Sequence, residues 1–198
     1  MKTLHWLTLA AALAGMSSAQ AHTIKVASWN LGWQVSEAEL PNWLTQCGKS
    51  YAKSAADGVW RPVAEGAPGA TIGWLINESR STIEGVDLSL MPPCGVYEGA
   101  GRRKFALTGK ALIQRNRHIA ALLERAVDAD VIAFQEVSGV AAVREALGSR
   151  ADDYSICSFD GQYKVQRLAY AWKKVYGAPV EACKTWHEVA LPALPAQQ

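Results

Sequence analysis

The chain has 198 residues, 49% of them apolar and 19% charged, with a formal net charge of +2. That length buries one core of useful size and is short for two. The near balance of charge demands no polyanionic partner. Eight tryptophans are many for this length, and most of them are expected in the core or at half-buried strand positions.

Residues 1–21 read as a signal peptide. Met1-Lys2 precedes an apolar run, Leu7 to Ala14, and Ala19-Gln20-Ala21 is a small-x-small cleavage pattern. The run is too short for a membrane anchor, and no other stretch is apolar enough to span a bilayer. The mature chain is expected to start at His22 and to be exported, periplasmic or secreted. Losing Lys2 takes the net charge from +2 to +1. Export places the four cysteines in an oxidising compartment, where disulfides form. Cys47 and Cys94 flank a long connection, and a bridge between them would close it. Cys157 and Cys183 fall on the outer strands of an expected three-stranded meander. Such strands lie about 9–10 Å apart, beyond the roughly 7 Å reach of a disulfide, so their pairing stays open.

In chain order, Ile24 to Trp29 alternate as a strand that delivers Asn30 at its end, and Gly32 permits a sharp turn. Residues 34–105 have no strong period. A helical patch is expected from Ser36 as N-cap to Leu40; the rest is rich in Gly, Pro and Ser and reads as a long insertion. Residues 101–117 carry six basic side chains and no acidic one. This is either a phosphate-attracting surface or a solvated helix face. A helix is predicted from Lys110 to Val127, with Leu112, Ile119, Leu122, Leu123 and Ala126 on one face and Arg115, Arg117 and Arg125 pointing elsewhere. Ala129 to Val137 reads as a strand buried on both faces. It ends in Glu136, and a carboxylate at the end of a buried strand is costly unless paired or metal-bound. Ser138 is the expected N-cap of a helix from Val140 to Leu147 that Gly148 ends. Three strands follow: Tyr154 to Ser158, Val165 to Lys173 and Val180 to Trp186. The tail, 188–198, is Pro-rich and cannot continue a sheet.

The stretches ending in Ser28-Trp29-Asn30 and in Asp130-Val-Ile-Ala-Phe-Gln-Glu136, followed by Gln162 to Trp172, together resemble the endonuclease/exonuclease/phosphatase superfamily, the deoxyribonuclease-like fold. The likeness covers about residues 23–187, interrupted by the insertion. It implies an α/β (α+β) sandwich, with residues 22–187 as the domain. It also implies phosphoester hydrolysis with magnesium or manganese, on nucleic acid or another phosphodiester. Glu136 would ligate the metal, and Asn30 would join the metal site. Tyr163 would bond a phosphate or stack on a sugar or base, and Arg167 would contact a phosphate bidentately. The competing roles are a structural salt bridge for Glu136, a turn cap for Asn30, and ordinary exposed strand positions for Tyr163 and Arg167.

The family pattern has a second half that is missing here. There is no Gly-Asp-x-Asn and no Ser-Asp-His, and none of His5, His22, His118 and His187 falls where the family's catalytic histidines would. The expected fold is therefore incomplete: one mixed sheet with flanking helices, the second sheet missing, and an apolar sheet face left bare. A second chain or a second copy would cover that face. Activity of this chain alone is expected to be weak or absent. The alternatives are an exported, non-catalytic binding protein, or a lipid phosphodiesterase or toxin subunit of the same superfamily.

Overall fold

The computed structural model describes residues 23–76, 82–96, 107–159 and 165–184. The signal-like segment, Tyr163, His187 and the Pro-rich tail lie outside them. Among the described residues the strands are β1 (Val26–Gln34), β2 (Ser50–Lys53), β3 (Trp60–Val63), β4 (Thr71–Ile72), β5 (Val131–Val137), β6 (Tyr154–Cys157) and β7 (Arg167–Lys173). The helices are α1 (Leu40–Gly48), α2 (Gly109–Ala126) and α3 (Val140–Leu147).

The main sheet is mixed, in the order β1-β5-β7-β6. β1 and β5 are parallel, and the other pairs are antiparallel. A parallel pair needs a crossover, and α2 supplies it. Ala27, Trp29 and Leu31 of β1, Ile132 and Phe134 of β5 and Ala169 and Ala171 of β7 meet Leu123 of α2 and Val143 and Leu147 of α3 in one core. Thr108 caps α2, its hydroxyl accepting from the Ala111 N–H.

Among the described residues helices cover only this side, so β5 is buried on one face and not on both: Ile132 and Phe134 are buried, while Val131 and Ala133 are half-exposed. The opposite sheet face is bare, with Val26 70%, Leu168 54% and Tyr170 52% exposed.

Residues 34–105 are not the long loop that the sequence predicts. Their described part builds a second core of Trp43, Cys47, Tyr51, Trp74, Ile83 and Met91, joined by Leu112 of α2. Trp43 and Trp74 meet edge to face at 5.7 Å. An antiparallel sheet, β3-β2-β4, flanks it, and Cys47–Cys94 closes it with a Cα–Cα distance of 5.3 Å. Gly73 is required there, because a Cβ on it would lie 2.8 Å from the Cys47 carbonyl oxygen. The strands have two to four residues, too few to show a period. This small sheet does not cover the bare face of the main one.

Other local expectations shift. The first helix starts at Leu40, with Glu39 at its cap position. Gly139, not Ser138, caps α3. Leu122 is 45% exposed and leaves the core face of α2, and the side chain of Ala126 is outside the description. No strand forms over residues 180–184. The chain instead turns back at Gly177, whose carbonyl accepts from Trp172 Nε1 at 2.9 Å. Cys183 therefore reaches Cys157, with Cα atoms 5.5 Å apart, because no third strand holds it at a distance. Two disulfides are what an oxidising compartment permits. Among the described residues no helix is long and apolar enough to cross a membrane.

Candidate functional site

Strict alternation would carry Glu136 into the core after Ile132 and Phe134. A β-bulge prevents this. Gln135 pairs with Leu168 and Val137 with Arg167, leaving Glu136 without a partner across the ladder. The extra residue resets the alternation, so Val137 takes the core position and is fully buried. Glu136 stays half-exposed, with φ +57°. That left-handed conformation costs an L-residue about 1–2 kcal/mol. Among the described residues its carboxylate has no hydrogen bond or ion pair, so the structural salt bridge finds no partner there.

β1 bends at the same level. Asn30 pairs with Gln135, and the next pairing is Gln34 with Val137. Gly32 and Trp33 between them have φ +56° and +61°. Asn30 is exposed, and its Oδ1 accepts from the Gly32 N–H at 2.8 Å, which makes it a turn cap. That oxygen keeps a second lone pair. Arg115 fastens the turn from α2. It donates to Gln34 Oε1 at 2.8 Å, to the Gly32 carbonyl at 3.0 Å and to the Leu31 carbonyl. The sequence expectation that Arg115 points away is thus corrected: the bulged turn presents carbonyls, and a planar five-donor fork satisfies several at once.

Arg167 sits at this same end of the sheet. Its Nη1 donates to the Ser138 carbonyl at 2.8 Å and packs on Gly139, where a Cβ would lie 3.1 Å away. It anchors the chain just past Glu136. Sheet register thus brings Asn30, Glu136 and Arg167 together, while Tyr163 lies outside the described residues.

Sequence reasoning missed two carboxylates that tie this end to the second core. Glu39 Oε2 accepts from the Ser36 N–H at 3.0 Å, from Ser36 Oγ at 2.6 Å and from Ser138 Oγ at 2.5 Å. The Ser36-x-x-Glu39 spacing is a capping-box signature that marks the first of these contacts. Glu145 accepts from the Glu37 N–H at 2.9 Å, and burial raises its pKa. Nothing local signals that contact across 108 positions.

A cleft of about 500 Å³ lies beside β1, between Trp29 and the α2 side chains Arg115, His118, Ile119 and Leu122. At the opposite end of the sheet, Asp128 bonds Lys25 at 2.7 Å and Lys173 at 3.0 Å. The buried Asp130 accepts from the Lys25 N–H and pairs with Lys173.

Among the described residues no three His, Cys, Asp or Glu side chains converge as a ready-made metal cage. One carboxylate and one amide oxygen suit magnesium, which keeps most of its shell as water. No family model, no curated protein and no solved structure matches this chain.

Proposed function

We propose that this chain is an exported, magnesium-dependent phosphodiesterase of the endonuclease/exonuclease/phosphatase type, acting on nucleic acid and weak by itself. The observation that carries the reading is Glu136: a carboxylate with no partner among the described residues, on a left-handed residue at the end of a central strand. Strained backbone of this kind clusters at functional sites. Glu136 would hold magnesium or manganese, and Asn30 on the neighbouring strand would orient a water or the phosphate. Bound magnesium supplies charge stabilisation on the phosphate and a more acidic water. Arg167 fixes the turn that follows Glu136, and Tyr163 contacts the phosphate. The chain carries no Ser-Asp-His, so proton transfer lacks its usual acid and base, and turnover is slow.

Plasmid nicking by the purified chain tests this. We expect faint nicking that needs magnesium, stops with a chelator and is lost in Glu136→Ala. Nicking that survives both chelator and Glu136→Ala overturns the reading, as does an NMR magnesium titration that leaves the Glu136 amide unmoved at millimolar metal.

A second reading, an exported non-catalytic binding protein, is favoured by the bare sheet face with Val26, Leu168 and Tyr170 exposed. A second chain or second copy would cover that face. The magnesium titration separates the two, since a binding protein need not respond to the metal.

A further inference from the structure

The edges of the two sheets are guarded unequally. Edge strand β3 carries Arg61 and Pro62, both of which discourage pairing. Edge β4 has two residues, and edge β6 is tethered by Cys157–Cys183. Edge β1 has nine residues and no charge or proline from Val26 to Gln34. The Val131 N–H donates to the Lys25 carbonyl. By the alternation of a parallel ladder, Lys25, Ala27 and Trp29 therefore serve β5, while Val26, Ser28 and Asn30 turn their N–H and C=O groups to the free side. Among the described residues those groups have no partner.

The cleft runs along this edge on the helix side. Trp29, Ile119 and the exposed Leu122 form its apolar walls, and Arg115 and His118 line it as well. Among the described residues no acidic side chain lines the cleft, while Lys110 and Arg117 of α2 face elsewhere, beside Ile113 and Gln114. An occupant complementary to this surface is extended, apolar where it meets Trp29 and Leu122, and acidic where it meets Arg115 and His118.

We propose that the free edge of β1 is a strand-addition site that takes an extended, acidic peptide segment from another protein, its apolar side chains seated in the cleft beside α2. Backbone hydrogen bonds at Val26, Ser28 and Asn30 give affinity, and the cleft gives selectivity. The site shares Asn30 with the proposed metal site, through its backbone and not its side chain, and does not rest on the proposed activity.

The probe is a labelled peptide alternating threonine and valine with a glutamate at each end, set against the same peptide ended by lysines. Fluorescence anisotropy with the full chain should show the glutamate peptide bound at least about tenfold more tightly. Its binding should slow amide exchange at Val26, Ser28 and Asn30 and leave Ala27 and Trp29 little changed, since these already bond to β5. Leu122→Glu, at a surface position, should weaken binding about tenfold without changing the melting temperature. Equal binding of the two peptides, no binding of either, or slowed exchange confined to other residues overturns the proposal. So does protection of the same three amides before peptide is added in a chain that sediments as a dimer, because a second copy would then hold the edge.

Discussion

Glu136 holds a conformation that its own chemistry disfavours. Glycine adopts φ near +57° without cost, so Glu136→Gly should raise stability by about 1 kcal/mol in urea denaturation. The same variant should lose any magnesium response. Glu136→Ala should lose the metal response without the gain, because alanine meets the same steric penalty. If the glycine variant is no more stable than wild type, the left-handed backbone at Glu136 is not strained in solution. Trp33 of β1, at φ +61°, stands beside it, so β1 and β5 bend together where the candidate site lies.

That joint bend depends on α2. Arg115 satisfies the carbonyls of Leu31 and Gly32 and the side-chain oxygen of the fully buried Gln34. Arg115→Lys keeps the charge and loses the fork, leaving at least one buried acceptor unmet at about 1–3 kcal/mol. We expect the chemical-denaturation midpoint to drop and the Gly32 amide to exchange faster. An unchanged midpoint would show that water replaces the guanidinium. The period of α2 was legible in the sequence because eighteen residues repeat it five times. The job of Arg115 was not, because its partners lie more than 80 positions away.

Across the molecule, two charge clusters respond to acid with opposite sign. Hydrogen bonds from Lys25 and then Lys173 hold the Asp128 carboxyl down to about 2. The Lys25 N–H and then Lys173 lower Asp130 from its ordinary 3.8. Lowered carboxylates stabilise fully above their ordinary value and lose that contribution as pH falls through the lowered one. Glu145 is raised from 4.5 by burial, so its ionised form costs stability at neutral pH and protonation relieves the cost. Melting temperature should therefore fall mainly between about pH 4 and pH 2, and Asp128→Asn should flatten that fall. An Asp128→Asn acid profile that follows wild type would mean that the Lys25–Asp128–Lys173 network is not what acid breaks.

By itself the chain determined the main strands, helices α2 and α3 to within a residue or so, the Cys47–Cys94 bridge and the strand-end placement of Asn30 and Glu136. These are local patterns with periods of two or 3.6, or loop closures set by chain distance. Three-dimensional packing decided the rest. It covered β5 on one face only and folded the insertion around Trp43 and Trp74, whose contact spans positions too far apart to form a pattern. It released Cys183 from an expected strand so that it could meet Cys157. It also placed the bulge that lifts Glu136 out of the core. A bulge is one unpaired residue, and nothing in a single strand says where its neighbours will stop matching it.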